Sequence, residues 1–235
     1  MKKALELKKK YQIAREKLFD TLISNNDGVQ FNKNHTHLVD QVVKELVEEI
    51  QNQFPVSDFT LIAVGGYGRQ DLSPKSDVDL LFLYQKSNKN IRDFITLLNN
   101  SLWDLGLEVG ISYLTLKQAI IDSKKDIKTV TKFAESRHLI GDEDYYGEFV
   151  RSIKILIGKL NSLKLSEKKL LELVERHDYY LGIKSNLEPQ IKEGIGGLRD
   201  IHTIIWVSIF MFNILKLEDL IQINIFTSKE IKELR

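Results

Sequence analysis

The stretch GGYGRQDLSPKSDVDLLFLY, from Gly65 to Tyr84, decides the expected fold. It begins with two adjacent glycines, ends in an apolar run, and carries Asp77 and Asp79 separated by one valine. Residues two apart in a β-strand point to the same face, so the two carboxylates are expected to project together, roughly 6–7 Å apart at Cα. Carboxylates that close repel each other unless a cation lies between them.

Two interpretations of the aspartates are open from their spacing alone. Hard oxygen ligands of this kind suit Mg²⁺, which often binds one or two carboxylates and completes its shell with water and phosphate oxygens. Alternatively, Asp77 belongs to a solvated turn, SPKSD, and Asp79 only begins the strand.

The glycines favour the metal interpretation. Gly65 and Gly66 follow the short apolar run FTLIAV, and without Cβ atoms they let backbone N–H groups approach a phosphate closely. The pattern is not a Walker loop, because no Gly-Lys-Ser/Thr follows, and Asp71 stands where a dinucleotide fingerprint has its third glycine. A turn that merely ends a strand is the alternative for two adjacent glycines.

The remaining chain predicts helices around a small mixed sheet, which is an α+β fold. Apolar spacing is helical at 1–24, 38–54 and 91–105, apolar runs predict strands at 59–64, 78–84 and 107–115, and the polar stretch 24–34 predicts a loop. From Leu116 onward helical patterns dominate and strand signals fade. We therefore predict N-terminal helices at 1–54, a domain with the small mixed sheet at 55–140 and a helical domain at 141–235.

The composition narrows the function classes. Lys and Arg number 34 and Asp and Glu 33, so the chain lacks the bulk positive charge of a nucleic-acid binder, and we expect no nucleic-acid partner. Absent cysteines exclude disulfides, thiolate zinc sites and cysteine nucleophiles. The N-terminus lacks a signal-peptide pattern, and the apolar stretch 201–217 contains polar residues that favour a buried helix over a membrane span. We therefore expect a cytoplasmic protein without a membrane partner.

The glycine turn followed by Asp-x-Asp resembles the nucleotidyltransferase superfamily that includes DNA polymerase β. There the glycine turn holds the nucleotide triphosphate and the acids hold the metals. Three further segments follow in order: LWDLGLEVGISYLT, AESRHLIGDEDYY and NLEPQIKEGIGGLRDIHTIIWV. Together these segments closely resemble the N-terminal part of the bacterial PII uridylyltransferase/uridylyl-removing enzymes of nitrogen regulation. The last segment is distinctive, because generic nucleotidyltransferases lack it, and the resemblance covers most of residues 55–235.

This resemblance implies the transfer of UMP from UTP to a tyrosine hydroxyl of the PII signalling protein, with release of pyrophosphate. Asp77 and Asp79 would hold two Mg²⁺ ions, and the nucleophile would belong to the partner. A third acid is expected on a neighbouring strand, where Glu108 is the candidate and an ordinary exposed residue is the alternative. Asp104 is the runner-up and is expected at the end of the preceding helix. Ile111 departs from the family, which often has histidine there.

The remaining candidate nucleotide contacts each have a structural alternative. Arg69 would pair with a phosphate or hold Asp71 in a salt bridge, and Ser76 would bond a phosphate or cap the turn. The segment EGIGGLRD, at 193–200, would place a helix N-terminus, with Lys192 and Arg199, over the nucleotide or would form a tight turn. Asn186, Glu188 and Pro189 share this ambiguity.

The histidines give no second active site. His35 and His37 are expected at the surface, and His138 and His202 in hydrogen-bonded core positions. A metal-dependent hydrolase set of His138, His177, Asp178 and Asp200 is rejected, because His177-Asp178 lies within the segment that matches the transferase half.

The family's hydrolase and small-molecule-sensing ACT domains come later in its chain. This sequence ends at Arg235, so we expect a fragment or a shortened gene product with a truncated helical domain, without uridylyl removal or glutamine sensing. Transfer to another acceptor and an inactive regulatory fragment are the alternative functions. No residue pattern indicates which base is bound.

Overall fold

A computed structural model of the chain describes residues 2–182, 190–214 and 217–233. Asn186, Glu188 and Pro189 therefore lie outside the described residues. The chain divides into two compact units, Met1–Ile153 and Lys154–Arg235. The predicted domain limits at residues 54 and 140 stay predictions.

The first unit is built on a four-stranded mixed sheet in the order β3-β2-β1-β4. The α+β expectation with a small mixed sheet is confirmed. Strand β1 pairs antiparallel with β2 and β4, whereas β2 pairs parallel with β3. The strands are β1 (Phe59–Ala63), β2 (Val78–Tyr84), β3 (Val109–Leu114) and β4 (Arg137–Gly141).

Strand β4 corrects the expectation that strands end before Leu116. Its sequence RHLIG is only five residues long, and Leu139 is the single buried side chain in it. A run that short carries no measurable period of two, so its strand conformation comes from pairing with β1 rather than from its own pattern.

Helices cover the sheet in the first unit and make up the second. The first unit has α1 (Lys2–Asn25), α2 (Gly28–Gln53), α3 (Gly65–Gly68), α4 (Lys89–Asp104), α5 (Leu116–Lys125) and α6 (Ile127–Ala134). Helix α7 (Glu143–Lys159) follows β4. The second unit has α8 (Ser162–Gly182), α9 (Leu198–Phe212), a 3₁₀ turn (Leu217–Ile221) and α10 (Ser228–Glu233).

The loop predicted at 24–34 is wrong, because α2 already begins at Gly28. The Asp27 side chain caps this helix by accepting a hydrogen bond from the Gln30 amide at 2.9 Å. Phe31 is buried and its ring lies 5.3 Å from that of Phe19 on α1. Packing between α1 and α2 therefore outweighs the polar composition of this stretch.

The core of the first unit lies between the sheet and helices α2 and α4. The rings of Phe59 and Phe82 stack at 4.8 Å, and Phe94 of α4 lies 5.3 Å from Phe59 and 5.6 Å from Phe82. Strand β2 is covered on both faces, and in its seven residues only Asp79 and Tyr84 are partly exposed. Asp79 therefore marks an opening beside an otherwise buried strand.

Within the described part of the chain, no helix combines the length and the apolar character needed to cross a lipid bilayer.

Candidate active site

The glycine turn lies directly against Asp79. Strand β1 ends at Ala63, the chain enters α3 at once, and the Val64 amide donates to the Asp79 carbonyl at 3.1 Å. Gly65 has φ +59°, a left-handed conformation that glycine adopts without a Cβ penalty. A Cβ built on Gly65 would lie 3.5 Å from Asp79 Oδ2 and 3.8 Å from Lys132 Cγ. The structure thus brings together the turn and one of the two aspartates that the sequence singled out.

A second glycine flanks the same carboxylate from the neighbouring strand. Asp79 pairs with Gly110 in the parallel β2–β3 register, and a Cβ on Gly110 would lie 3.0 Å from Asp79 Oδ1. Any larger residue at this position would crowd that oxygen. Gly65 and Gly110 therefore leave room on both sides of the Asp79 carboxylate, a feature that the sequence analysis found only in part.

Asp77 and Glu108 occupy neighbouring positions at the start of their strands. The Val78 amide donates to the Glu108 carbonyl at 2.7 Å, and Val78 pairs with Val109, so the two acids lie one residue before this pair. Both side chains are exposed. Among the described residues, no group of three or more His, Cys, Asp or Glu side chains is arranged so that it could hold a metal ion. Metal binding by Asp77, Asp79 and Glu108 stays a prediction, as does the role of Asp104 at the end of α4.

Lys132 on α6 is a further site residue that could not be found from the sequence. Its Nζ donates to Asp79 Oδ1 at 2.8 Å, and the side chains are 33% and 34% exposed. A single lysine in TVTKFAE has no sequence signal, because only the fold brings α6 against the glycine turn. The Lys132–Asp79 contact also bears on whether the site fits Mg²⁺. Asp79 offers hard oxygen donors and already binds the ammonium group of Lys132, so it fits such an ion.

A buried network holds α3 in place. The Tyr67 hydroxyl donates to Asp40 Oδ1 at 2.7 Å, and Arg137 donates to both Asp40 oxygens, at 2.7 and 3.0 Å. Burial, reinforced by the Asp40 charge, raises the pKa of Tyr67 well above its ordinary value. This network joins α2, the glycine turn and β4, and therefore fixes the turn beside Asp79.

The N-terminal helices hold the loop that leads to Asp77. Three side chains of α1 and α2 bond this loop: Arg15 donates to the Pro74 carbonyl at 3.0 Å, Asn32 to Asp71 Oδ1 at 2.7 Å, and His35 to the Leu72 carbonyl at 3.0 Å. Helices α1 and α2 thus belong to the scaffold of the site.

His35 corrects the expectation of a surface residue, whereas His37 is exposed as expected. His35 is only 3% exposed. It is buried because α2 begins earlier than predicted and turns this position toward the core. Its Nδ1 carries the proton given to Leu72, so Nε2 accepts from the Tyr11 hydroxyl at 3.4 Å. Burial lowers the pKa of His35, against an opposing contribution from the Leu72 carbonyl.

Arg69 and Ser76 both make bonds within the protein. Arg69 Nη1 pairs with Glu135 Oε2 at 2.5 Å, and the Glu135 side chain is only 4% exposed. Glu135 was not expected as the partner of Arg69 from the sequence. The Ser76 amide closes a turn by donating to the Ser73 carbonyl at 3.0 Å. Nucleotide binding by either residue stays a prediction.

The glycine-rich segment of the second unit forms a tight turn before α9. The first amides of α9 donate to the chain's own carbonyls: Leu198 to Ile191 at 3.0 Å, Arg199 to Lys192 at 2.9 Å, and Asp200 to Gly197 at 3.0 Å. This bonding favours the tight-turn alternative, because these amides already have acceptors.

The charged residues of that segment differ in their partners. Arg199 binds Glu193, with Nη2 2.8 Å from Oε1, and this hydrogen bond is the main cause that lowers the pKa of Glu193. The Lys192 side chain is exposed. Binding of a nucleotide by Lys192 or Arg199 stays a prediction.

His177 and Asp200 are joined by hydrogen bonds within the second unit. His177 Nε2 lies 3.0 Å from both Asp200 oxygens, Arg176 also donates to Asp200, and the Gly196 amide donates at 2.8 Å. Burial raises the pKa of Asp200, but these hydrogen bonds outweigh it and the pKa is lowered. In the first unit, His138 packs its ring 5.4 Å from Tyr146. The His177–Asp200 hydrogen bonds join α8 to the start of α9.

Comparison with known proteins identifies the family. Residues 43–140 match the nucleotidyltransferase domain, and residues 164–235 match the GlnD PII-uridylyltransferase family. A bifunctional uridylyltransferase/uridylyl-removing enzyme of Hydrogenovibrio crunogenus is 37% identical over 209 residues, which cover 86% of this chain and 23% of that protein. The chain belongs to the PII-uridylyltransferase family. The recognition made from the sequence is thereby confirmed.

Other family members match to a similar extent. The enzyme of the same description from Chromobacterium violaceum is 36% identical over 83% of this chain and 22% of its own length. The enzyme from Pseudoalteromonas translucida is 40% identical over 75% of this chain and 20% of its own length. The chain thus spans less than a quarter of the length of these relatives.

A solved structure described as "Crystal structure of the toxin-antitoxin with AMP-PNP" aligns at a TM-score of 0.35 with 16% identity, over 56% of this chain and 98% of that chain. A similarity this low carries no argument about function.

Proposed function

We propose that the chain catalyses the nucleotidyl transfer of its family: UMP from UTP to a tyrosine of the PII protein, in the cytoplasm, as part of nitrogen regulation. The tyrosine oxygen would bond to the α-phosphorus while the bond from that phosphorus to the bridging oxygen breaks. The hydroxyl proton passes to solvent, and pyrophosphate leaves. The observation that supports the proposal best is the Asp79 carboxylate, held between two glycines beside the turn at Gly65.

The acids at the starts of β2 and β3 would hold Mg²⁺ in this proposal. Asp79 and Asp77 supply the oxygen donors, with Glu108 as the third acid and two ions expected. Bound Mg²⁺ would activate the attacking oxygen and neutralise charge on the departing pyrophosphate. Asp79 is fixed on a strand buried on both faces, which keeps its position independent of the exposed loop that carries Asp77.

The glycine turn would bind the triphosphate. A Cβ on Gly65 would meet only side-chain atoms of Asp79 and Lys132, at 3.5 and 3.8 Å, and the Tyr67–Asp40–Arg137 network holds the turn in place. Preorganised backbone donors of this kind stabilise charge without reorganisation during the reaction. Because the attacking hydroxyl comes from the partner protein, the chain needs no nucleophile of its own.

The direct test is label transfer from [α-³²P]UTP with Mg²⁺ and purified PII protein. We expect label on PII, lost by at least about a hundredfold in Asp79→Ala and Asp77→Ala, because a metal ligand matters more than the groups around it. Asp58→Ala is the matched control, an exposed aspartate before β1 that should change nothing.

The outcomes separate the alternatives. Label on another protein or on a small molecule would contradict PII as the acceptor but keep the transferase. Absence of UTP binding and of transfer would overturn the proposal and favour an inactive regulatory fragment. Comparison of Glu108→Gln with Asp104→Asn identifies the third acid: only the true metal ligand should lose activity.

A further inference from the structure

We propose that Lys132 is a nucleotide-positioning residue of this site: it neutralises Asp79 when no divalent cation is bound and turns to the triphosphate when one is. This inference rests on the proposed function. It names a residue to which neither the sequence pattern nor the family match assigns a role.

Geometry places Lys132 between the aspartate and the glycine turn. Its Nζ bonds Asp79 Oδ1 at 2.8 Å, while its Cγ lies 3.8 Å from the position of a Cβ on Gly65. The side chain therefore runs past the turn proposed to hold the triphosphate before it reaches the proposed metal ligand. Rotation about the bonds of its flexible methylene chain would carry the ammonium from one to the other.

The helix that carries Lys132 is anchored, so only its side chain needs to move. Thr131 and Phe133 on either side are 2% and 3% exposed, and Val130 is fully buried. The Asp126 side chain caps the start of α6 by accepting from the amides of Lys128 and Thr129, at 3.1 and 3.0 Å. The lysine backbone is thus a fixed pivot.

The Lys132–Asp79 salt bridge is weak enough for a divalent cation to replace the lysine ammonium at Asp79. Both side chains are about one-third exposed, and pairs of this kind contribute little net free energy, so a divalent cation with twice the charge displaces the ammonium readily. Two other cations near the turn are bound more firmly. Arg69 pairs with Glu135 and Arg137 with Asp40, and both of these carboxylates are largely buried, which makes their separation costly.

If Lys132 exchanges between Asp79 and the triphosphate, its substitution should change the affinity for the divalent cation and the affinity for the triphosphate in opposite directions. In Lys132→Met the divalent cation no longer competes with an ammonium at Asp79, so it binds about two- to fivefold more tightly. In the presence of that cation, the triphosphate loses a charge-assisted hydrogen bond and binds about ten- to a hundredfold more weakly. A lysine that only stabilised the fold would weaken both affinities or neither.

The experiment measures both affinities on the full chain without turnover. Binding of Mn²⁺ is followed by the electron paramagnetic resonance signal of the free ion, and binding of the non-reactive α,β-imido analogue of UTP by calorimetry at saturating Mn²⁺. Lys132→Arg should restore most of the analogue affinity, because it retains the positive charge. Lys128→Met is the matched control, an exposed lysine four residues earlier on the same helix, and should leave both affinities unchanged.

The possible results test the role of Lys132 and the proposed function separately. Tighter Mn²⁺ with weaker analogue binding in Lys132→Met supports the proposal, provided that its thermal melting matches that of the unsubstituted chain. Unchanged affinities, or losses in both, overturn the role of Lys132 while the proposed function stands. If the unsubstituted chain binds no analogue, the proposed function fails, and the assignment of Lys132 to a triphosphate fails with it.

Discussion

Two glycine-rich turns precede helices in this chain, and each has an aspartate bound to a cation. In the first unit, the turn at Gly65–Gly68 faces Asp79, whose partner Lys132 is partly exposed. In the second unit, the turn at 194–197 is tied to Asp200, which binds Arg176, His177 and the Gly196 amide. From sequence alone, both turns were candidates to bind phosphate.

The space around one glycine of each turn distinguishes Gly65 from Gly197. A Cβ on Gly65 would meet only side-chain atoms, at 3.5 Å or more, whereas a Cβ on Gly197 would lie 2.5 Å from the Ile191 carbonyl oxygen. The backbone of the second turn itself requires glycine, and the amides of this turn already donate hydrogen bonds to carbonyl groups. A glycine-rich turn thus indicates a ligand only where the missing Cβ faces open space next to groups with unused bonding capacity.

The largest expected difference is between the two aspartates. Asp79→Asn should lower label transfer at least about a hundredfold, because it removes metal-binding charge, while it changes stability by less than about 1 kcal/mol. Asp200→Asn should lower the free energy of unfolding by about 2 kcal/mol, because charged hydrogen bonds are lost, and should leave transfer per folded molecule unchanged. Transfer assays and urea unfolding of both variants measure these effects. Equal loss of transfer in both variants would remove the distinction between the turns.

Gly68 and Gly197 should respond alike. A Cβ on Gly68 would lie 1.9 Å from the Glu135 carbonyl oxygen, so Gly68→Ala should destabilise the first unit by about 3 kcal/mol, and Gly197→Ala should destabilise the second unit comparably. Gly28→Ala, in open space at the start of α2, is the control. Thermal unfolding with separate probes for each unit tests this, and a stable Gly68→Ala variant would contradict the close approach.

Gly65 should behave differently from both. Its positive φ makes Gly65→Ala cost about 1–2 kcal/mol of stability, and the added methyl group beside Asp79 should weaken nucleotide binding about tenfold. Gly106→Ala is the matched control, because Gly106 also has a positive φ but has no atom within 4 Å of its Cβ position. Calorimetric titration with a UTP analogue should show the affinity loss in the first variant alone.

The smallest expected effect is a difference in pH response. The lowered pKa of His35 means that the unfolded chain binds more protons below the ordinary histidine value of about 6.5, so stability of the first unit falls as pH falls from there. The slope is at most about 1.4 kcal/mol per pH unit. The lowered pKa of Asp200 acts on the second unit only below about pH 4. Urea unfolding from pH 7.5 to 5 should show the first slope, which His35→Gln flattens and His37→Gln does not.

Strong local patterns made the fold class and the central strands predictable. VDLLFLY is apolar throughout because β2 is covered on both faces, and helix α4 follows its apolar spacing closely. Strand β4 was missed because RHLIG owes its conformation to β1. His35 was misplaced because helix packing overrides the polar composition of the stretch around Asn26.

The site was predictable only in the parts that lie close together in sequence. Asp79 and Gly65 occur in one stretch of twenty residues, whereas Gly110 and Lys132 reach the same carboxylate from other elements. Their contribution depends on strand register and helix packing, which no short pattern encodes. The order of the family-like segments allowed the family to be recognised, but it gave no information on how these side chains meet.

The strand order has a consequence for the folding of the chain during its synthesis on the ribosome. Strand β1 lies between β2 and β4, so one of its edges stays unpaired until residues 137–141 have emerged from the exit tunnel. During that interval a wholly buried strand of the final protein presents free backbone groups to other nascent chains. The first unit therefore depends on rapid arrival of β4, and a pause in translation before Arg137 would prolong the period in which the chain is prone to aggregate.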